Sequence, residues 1–409
     1  MANTLQHQID LYAKYAAREI AKSPFLSSLK PKHDEKWSGK KKGEQIDFTI
    51  PPKYEVNDTL DISSAIQDIE HTTIPLKLDT LANVPVQLSM QELLLDFDEN
   101  NQTSQDIIKP ASDSIVEYME TTLMAAAYKK AKHNFNIATP GTDITAVSDI
   151  TTAGAKLSNY GAPKAGRKFV INPDSMGSFV NANTGLFAPQ TAIGKQYLEG
   201  EVTRAIKFDW MESECNPQHT VGAHGGTPLV NGATQSGTSL VTDGWSASTL
   251  VLKAGDVFTV ANVKDVATKA GSTNVTLSSS YQYTAAADVT SDGSGNATIT
   301  LNESVSATAG KLQNVDALPA DNAAITVIGT ASTAYRQNLV YVPKAIAFAT
   351  GSLAIPSKAE FAGKGTYGGI TVTIVRDYDI KTAQFITRMD CLAGIAVPYP
   401  EYVGRIWTP

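Results

Sequence analysis

The sequence is poor in cysteine and has no long apolar run. Its 409 residues include two cysteines, Cys215 and Cys391, which lie far apart and are predicted to be two buried thiols. Two cysteines cannot form a disulfide framework or a four-thiolate zinc site. No stretch approaches the roughly 18 apolar residues that a membrane-spanning helix needs, and residues 1–22 lack the apolar core of a signal peptide. We therefore expect a soluble intracellular protein.

The sequence also lacks the short motifs that carry common catalytic and cofactor chemistry. It contains no G-x-S-x-G turn, no Walker loop, no G-x-G-x-x-G after a strand and no H-E-x-x-H. Cys215, His219 and His224 are spaced so that a metal is conceivable, but they lie in a glycine-rich loop without an evident fourth ligand. We predict no catalytic residue, no cofactor and no metal site, and hence no enzyme.

Positive charge is in short supply. Lys and Arg number 34 against 41 Asp and Glu, and the formal net charge is −7. Nonspecific binding to nucleic acid needs clustered Lys and Arg that neutralise phosphates. The composition therefore disfavours a protein that holds nucleic acid along a basic surface.

One region is especially poor in charge. Residues 226–335 contain four lysines, eight acidic residues and no arginine. Short β-type runs recur there between turn signals such as 291–296, and these runs lie at 250–252, 257–260, 275–277, 297–301 and 324–328. Regular short strands predict a small inserted all-β domain, either a sandwich or a barrel. The alternative, a disordered Ser/Thr/Gly linker, is disfavoured because the apolar runs are so regular.

The N-terminal residues predict an amphipathic helix over 4–22. Apolar residues recur there at three- and four-residue spacing on one stripe, namely Leu5, Ile9, Tyr12, Ala16 and Ile20. Ser23-Pro24 is expected to end this helix.

A long two-stranded arm is predicted over residues 37–82. Alternating apolar residues indicate strands at 46–50 and 74–78, and the polar stretch 54–64 would form the tip between them. Because an isolated hairpin is marginally stable in water, the arm needs a surface to lie on, in its own chain or in a neighbouring subunit. The lysines that precede the first strand, at 40–42, are also compatible with a plain solvated turn.

The strongest helix prediction covers residues 105–132. Its apolar positions recur at three- and four-residue spacing, at Ile108, Ala111, Ile115, Met119, Leu123 and Ala126. Thr103 or Ser104 is expected to cap its N-terminus, and Pro110 is expected near the first turns, where proline is tolerated. At about 1.5 Å per residue, this helix would be about 40 Å long.

The remaining segments alternate between strands and short helices. Residues 169–171 indicate a strand, and 173–180 a short helix that Pro173 starts. Residues 338–341 indicate another strand, which 345–350 either continue or follow as a short helix. Alternating residues over 370–397 predict a C-terminal sheet. The fold class is therefore α+β.

An ordered series of sequence patches resembles the coat proteins of short-tailed Salmonella phages (gene product 5), a family of tailed-phage major capsid proteins. The patches are Ile46–Pro51, Thr72–Leu78, Phe169–Pro173, Leu252–Asp256, Gln337–Val340 with Ala345–Ala349, and Arg388–Ile395 with Pro400-Glu401. Each patch alone is weak, but their order and spacing are specific. The resemblance implies the Hong Kong 97-type capsid fold, with a long spine helix, mixed sheets, an extended β-hairpin arm and an inserted all-β domain.

The resemblance also implies a division of the chain. The segments are an N-terminal arm at 1–36, an extended loop at 37–82, a peripheral domain at 83–144 with the spine helix at 105–132, an axial domain at 145–225, the inserted β domain at 226–335, the return of the axial domain at 336–368, and the C-terminal strands of the peripheral domain at 369–409. The extended loop would lie on an adjacent subunit, and the insert would brace neighbours or the subunit itself.

The function that the resemblance implies is that of a major capsid protein. Copies would self-assemble as pentamers and hexamers into an icosahedral shell that encloses double-stranded DNA without sequence-specific binding. Assembly would take place in the host cytoplasm, through a scaffolded precursor shell that expands. Scaffolding and portal proteins are the expected partners, and neither a membrane nor a small molecule is expected. Because the sequence begins at the N-terminal helix, we expect the scaffolding protein to be a separate chain.

Two groups of residues follow from the resemblance. The expected assembly interface comprises Ile9, Tyr12, Lys40, Lys41, Lys42, Tyr54, Asp58, Asp61 and Glu70. The expected core of the spine helix comprises Ile108, Ile115, Met119 and Leu123. The alternative function is a Ser/Thr/Gly-rich β adhesin or tail-fibre module that binds glycans on a cell surface.

Overall fold

The described part of the chain forms two compact units. The computed structural model describes residues 10, 13–29, 43, 45–51, 54, 66, 71–88, 102–135, 139–183, 204–205, 207–268, 274–310, 312–355, 361–380 and 384–409. Unit 1 takes the described residues within 1–48, 74–126 and 346–398, and unit 2 takes those within 49–73, 127–345 and 399–409.

Helices and strands are both present in quantity. The helices are α1 (13–20), α2 (Pro24–Ser28), α3 (Gln102–Lys130), α4 (Val147–Asn159) and α5 (Pro173–Ala182). The strands are β1 (Gln45–Ile50), β2 (Thr72–Lys77), β3 (Thr80–Leu88), β4 (His133–Asn134), β5 (Arg167–Ile171), β6 (Arg204–Ala205), β7 (Phe208–Glu212), β8 (Gln218–Thr220), β9 (Gly226–Val230), β10 (Gly237–Trp245), β11 (Leu250–Leu252), β12 (Val257–Thr268), β13 (Asn274–Thr284), β14 (Val289–Thr290), β15 (Ala297–Val305), β16 (Ile325–Val327), β17 (Ala334–Tyr341), β18 (Ala347–Gly351), β19 (Phe361–Tyr367), β20 (Ile370–Asp379), β21 (Gln384–Ala396) and β22 (Val403–Thr408). Short 3-10 turns lie at Pro343–Ala345 and Pro400–Tyr402.

A five-stranded sheet forms the frame of unit 1. Its order is β18-β21-β20-β19, and β3 pairs with β21. The first five residues of β20 are all buried, so Thr371 and Thr373 are enclosed as well as the apolar Ile370, Val372 and Ile374. A separate two-stranded sheet pairs β1 with β2 and forms the described part of the arm.

The long helix α3 packs its apolar stripe inside unit 1. Ile115, Met119 and Leu123 are buried. The helix begins three residues earlier than predicted, so Thr103 and Ser104 lie inside it, and Pro110 lies in its interior. It ends two residues earlier than predicted, because the chain leaves the helix to form β4, which pairs in parallel with β22.

A seven-stranded sheet organises unit 2. Its order is β4-β22-β17-β5-β7-β6, and β8 pairs with β17. Leu157 of α4 and Phe179 of α5 are buried in one cluster with Phe169 of β5 and Trp210 of β7. Helix α5 starts at Pro173 as predicted and continues two residues beyond Val180.

The strands between β8 and β17 form small sheets linked by single backbone bridges, an arrangement that we call the barrel. One sheet has the order β15-β10-β9 and another the order β13-β12-β16. The backbone bridge between Leu229 and Ala324 joins β9 to β16, and the bridge between Ala285 and Leu301 joins the end of β13 to β15. The interior is apolar and aromatic, with Trp245, Phe258, Tyr281 and Tyr283 among its residues. Of the two architectures proposed from the sequence, these bridges favour the barrel.

The C-terminal strands divide between two sheets. Strand β22 does not join β20 and β21 but pairs along β17, from Arg336 with Thr408 to Tyr341 with Val403. All six β22 residues are buried, as expected for a strand that lies between two others in a sheet. Residues 336–368 divide in a similar way, because β17 belongs to unit 2 whereas β18 and β19 belong to unit 1.

Candidate assembly surfaces

The arm is firmly attached at its base. Leu76 and Leu78 are buried in a cluster with residues of β18 and β21. Gly394 lies directly against the carbonyl oxygen of Lys77, and a Cβ at this position would overlap that oxygen. Further out, Tyr54 is 51% exposed and Ile66 is 77% exposed. The base of the arm is therefore part of the core of unit 1, and Tyr54 and Ile66, described residues of unit 2, are exposed.

The expected interface residues fall largely outside the described residues. Tyr54 is described and exposed. The others, Ile9, Tyr12, Lys40, Lys41, Lys42, Asp58, Asp61 and Glu70, lie outside the described part of the chain, as does the side chain of Ile108.

The N-terminal helix is packed on its own subunit. Ala13, Ala16, Ala17 and Ile20 are fully buried. Gly365 of β19 lies against the backbone of Ala13, so this close approach leaves no room for a side chain. The small residues on both sides let helix and strand meet backbone to backbone.

A buried carboxylate fixes the turn after this helix. Ser23 Oγ donates to Glu120 Oε2 at 2.6 Å, and the backbone N–H of Phe25 donates to Glu120 Oε1 at 3.2 Å. Ser23 also accepts from the N–H of Leu26, so it is the N-cap of α2. Ser23-Pro24 therefore starts a second helix as well as ending the first. A serine followed by proline is typical of a helix start, but only the end of the first helix was predicted here.

The outer face of α1 carries exposed positive charge that sequence reasoning also missed. Lys14 and Arg18 lie on α1 and Lys22 lies in the turn after it; the three follow one another at four-residue spacing and are exposed. Glu19 pairs with Lys22 at 2.6 Å, and no described residue pairs with Lys14 or Arg18. We call these three residues the basic ridge.

A buried cluster of charged and aromatic side chains joins the barrel to the rest of unit 2. Lys132 lies 2.9 Å from Glu303 of β15, and its ammonium sits 5.1 Å from the ring centres of both Tyr160 and Tyr281. The Tyr160 hydroxyl donates to Asp265 of β12. We call these five residues the lysine junction.

The charges of the lysine junction determine its protonation. Burial alone would lower the pKa of Lys132, but the negative charge of Glu303, with smaller contributions from Tyr160 and Asp265, raises it above its usual value. Burial raises the pKa of Tyr160 and of Asp265. Lys132 is thus held as a cation, and Tyr160 as a neutral hydrogen-bond donor.

The barrel also supplies the polar groups that end α3. The Asn302 side chain donates to the carbonyl of Lys129 at 2.6 Å and accepts from Lys130 Nζ at 2.9 Å. The Gln282 side chain accepts from the backbone N–H of Asn134 and donates to its carbonyl. No glycine follows Lys130 to close the helix in the usual way, so a neighbouring element provides these hydrogen bonds.

A second buried network lies at the first residues of the barrel. His219 Nε2 is 2.7 Å from Asp256 Oδ1, and His219 Nδ1 is 3.2 Å from the Tyr128 hydroxyl. Because a carboxylate can only accept, Nε2 carries the proton and Nδ1 accepts from Tyr128. Burial lowers the pKa of His219, although Asp256 opposes that change. Burial also lowers the pKa of the neighbouring Arg405 to about 10.

Neither a metal site nor a membrane helix accompanies these contacts. Within the described ranges, no three His, Cys, Asp or Glu side chains come together as a metal site. His219, one of the conceivable ligands, is instead hydrogen-bonded to Asp256 and Tyr128. No helix in the part of the chain that the structure describes is long and apolar enough to cross a bilayer.

Comparison with models of protein families identifies the family of this chain. The family model described as P22 coat protein, gene protein 5, matches residues 38–407. The chain belongs to the P22 coat protein family. The resemblance predicted from the sequence patches is thereby confirmed, together with the α+β class. The chain is a structural protein, a major capsid protein that associates with further copies of itself to form the shell of a phage particle.

Three solved phage structures are similar to this coat protein. A structure from Mycobacterium phage Che8 has 10% identity and a TM-score of 0.43, and the match covers 94% of this chain and 87% of that one. A structure from Gordonia phage Cozz has 10% identity and a TM-score of 0.41, with 95% and 86% covered. The capsid of Ralstonia phage GP4 has 9% identity and a TM-score of 0.40, with 92% and 86% covered. No curated protein matches the chain in sequence.

Proposed function

We propose that this coat protein assembles as pentamers and hexamers that close into an icosahedral shell around double-stranded DNA. Assembly proceeds in the host cytoplasm through a precursor shell built with a scaffolding protein, and a portal protein occupies one position of the shell. Individual contacts between subunits are modest, so that misplaced subunits can leave, and multivalency stabilises the closed shell. The precursor shell expands by rigid-body rotation of domains.

The observation that carries this proposal is the arm. Its base is buried in unit 1, while Tyr54 and Ile66 farther out are 51% and 77% exposed. A two-stranded ribbon has unpaired edges and is marginally stable alone in water. An arm of this kind gains stability when it lies on a neighbouring subunit, and a shell subunit always has neighbours.

The barrel has an internal role in this proposal. The sequence left open whether the insert at 226–335 braces neighbours or its own subunit. Lys132, Asn134 and the end of α3 take their polar partners from Glu303, Gln282 and Asn302 of the barrel. We therefore assign the barrel to bracing its own subunit at the end of the long helix.

The acidic balance suits the inner wall of a DNA container. With a net charge of −7, the subunit has no overall attraction for phosphates. DNA can then be packed densely inside the shell without adhering to it. A potential map of an assembled particle with a strongly basic inner surface would contradict this assignment.

Electron microscopy of the purified protein tests the proposal. The protein is examined alone and together with its scaffolding protein. We expect closed shells with five-fold and six-fold clusters of subunits, more uniform in size when scaffolding protein is present. Only monomers or trimers under both conditions, with affinity for glycans, would instead indicate the surface-binding alternative.

A further inference from the structure

The loop between β9 and β10 contains two residues that can react with each other. Asn231 and Gly232 form the one Asn-Gly pair in the sequence. In such a pair, the backbone nitrogen of the glycine can attack the side-chain carbonyl of the asparagine, and glycine has no Cβ to obstruct the approach. The reaction needs a side-chain amide that is free to turn and a base that takes the proton of the backbone N–H.

Both requirements are met in this loop. Asn231 is exposed, and none of the described residues forms a hydrogen bond with its side-chain amide. The N–H of Gly232 donates to Asp321 Oδ1 at 2.8 Å, which is within the reach expected of a general base. Gly232 has a φ of 97°, a left-handed conformation that glycine adopts without strain.

The contacts around the pair keep the base next to the nitrogen. Gln235 Nε2 donates to the carbonyl oxygens of Asn231 and Gly232, at 2.7 and 3.0 Å. The N–H of Asn322 donates to the carbonyl of the last β9 residue at 2.9 Å, and its side chain donates to Asp321 Oδ2 at 2.9 Å. The backbone of the loop and the carboxylate are therefore held in place, whereas the Asn231 side chain is free to turn.

We propose that Asn231 is a self-modification site, at which Asp321 is the general base for cyclisation with Gly232. The Gly232 nitrogen gives its proton to Asp321 and bonds to Cγ of Asn231. The bond from Cγ to the side-chain nitrogen breaks, and ammonia leaves with the proton that Asp321 returns. Water then opens the succinimide ring at either of its two C–N bonds to the ring nitrogen, which leaves aspartate or isoaspartate at position 231.

The product changes the charge and the backbone of the loop. The new carboxylate lies one residue from the contact between Gly232 and Asp321, and the two like charges repel each other. In isoaspartate the backbone also gains one atom, which moves the Gly232 N–H away from its acceptor. Because the backbone bridge between Leu229 and Ala324 lies beside this loop, we expect modified subunits to lose hydrogen-exchange protection there first. Coat protein in an old particle then differs from newly made coat protein in the barrel.

Ageing of the purified full-length protein tests the proposal. The wild type, Asp321→Asn and Asp288→Asn are incubated at about physiological temperature, and peptide mass spectrometry follows the amide and the isoaspartate at position 231. Asp321→Asn keeps an oxygen that can accept from the Gly232 N–H but removes the base. Asp288→Asn is the matched control, because exposed Asp288 also accepts a backbone N–H at 2.8 Å, that of Ala254, which follows Lys253 and not an asparagine.

We expect deamidation at Asn231 in the wild type and in the control, with isoaspartate in the product, and a rate at least about tenfold lower in Asp321→Asn. An Asp321→Asn variant that deamidates at the wild-type rate or faster would overturn the proposal, because the carboxylate would then only restrain the loop. Wild-type protein in which Asn231 stays intact while other exposed asparagines react would overturn it as well.

The pH profile separates a base from a structural contact. With an ionised Asp321 as the base, the wild-type rate should change little between about pH 6 and 8. Without this carboxylate hydroxide is the base, so the rate of Asp321→Asn should rise in proportion to hydroxide. Parallel profiles for the two proteins would contradict the role of Asp321. Because neither measurement requires shells, the result is independent of the proposed function.

Discussion

At the residue scale, Lys132 shows how this coat protein holds a buried charge. Lys132 has a carboxylate at 2.9 Å and two aromatic rings around its ammonium. Moving a charge from water into the protein interior costs roughly several kcal/mol, unless an ion pair of good geometry offsets that cost. The lysine junction is therefore a place where a single substitution has a large effect.

The change Lys132→Met is expected to lower the free energy of unfolding by about 2–3 kcal/mol, because Glu303, whose side chain is 23% exposed, loses its cation. The double change Lys132→Met with Glu303→Leu should cost much less, since neither charge remains. Urea unfolding followed by circular dichroism measures both. The matched control is Lys168→Met, which removes a half-exposed ion pair with Asp209 and should cost under about 1 kcal/mol. Equal losses for Lys132→Met and the control would contradict this account.

Two buried histidines predict that stability falls in mild acid. Burial holds the pKa of His133 well below its usual value, and nearby Lys132 and Lys156 lower it further. The pKa of His219 is also lowered by burial, despite its bond to Asp256 and in the field of Arg405 and Lys129. Because the unfolded chain then binds protons more tightly, this stability is present above about pH 6.5 and is lost as the pH falls through that value.

Each histidine should contribute a loss of about 1.4 kcal/mol per pH unit below pH 6.5, until its folded pKa is reached. Urea unfolding at pH 7.5, 6.5 and 5.5 measures the slope. His133→Gln should make the slope shallower, whereas exposed His71→Gln should leave it unchanged. Asp265 acts in the opposite sense, since burial raises its pKa, so the difference between variants is more informative than the total slope. A free energy independent of pH over this range would refute the prediction.

At the scale of elements, close backbone contacts decide where the arm and the N-terminal helix sit. Gly394 meets β2 and Gly365 meets α1, in both cases where a Cβ would overlap backbone atoms. Backbone atoms cannot move aside as a flexible side chain can. These two glycines therefore fix the positions of the arm and of the N-terminal helix, the two segments that the proposed assembly uses.

Gly394→Ala is expected to displace the base of the arm and to lower stability by about 1–3 kcal/mol, the usual cost of overpacking. Limited proteolysis should then cleave the arm faster than in the wild-type protein, and shell yield should fall. Gly177→Ala is the matched control, because nothing lies within 4 Å of its Cβ and helix α5 favours alanine over glycine. Equal proteolysis of the two variants would show that the arm is not seated on Gly394.

Sequence patterns predicted helices and strands better than the contacts that these elements make with distant parts of the chain. The periodicity of α3 identified the helix and its buried stripe, since Ile115, Met119 and Leu123 repeat with the helical turn. Its end at Lys130 could not be predicted, because Asn302, far away in the chain, supplies the hydrogen bonds there. The basic ridge was missed because the helix was identified from its apolar stripe alone.

At the scale of the whole molecule, the barrel is inserted through a narrow junction. The N–H of Val221 donates to the carbonyl of Thr333 at 3.0 Å. The residue before the barrel and the residue after it are therefore hydrogen-bonded to each other. A short loop could bridge this gap. The geometry of the connection alone would make the barrel easy to remove.

Replacing residues 226–332 with a short Gly/Ser loop is nevertheless expected to give a poorly soluble protein that forms no shells. The replacement removes Glu303, Gln282 and Asn302, so Lys132 and the end of α3 lose their partners. Soluble yield and the sedimentation profile measure the outcome. Adding Lys132→Gln to the same deletion should recover part of the solubility, since no buried charge is then abandoned. A barrel-free protein that is as soluble as the wild type would contradict the bracing role.

The bridges between the barrel sheets matter when the coat protein is present at high concentration. A coat protein accumulates in many copies before they find their places, and every open β edge is then a template on which another chain can grow. In the barrel, the bridges Leu229–Ala324 and Ala285–Leu301 link the outer strands of the two three-stranded sheets, so less of each edge is offered to another chain than in two unlinked sheets. The two-stranded arm keeps open edges, so we expect strand addition between copies at the arm rather than at the barrel.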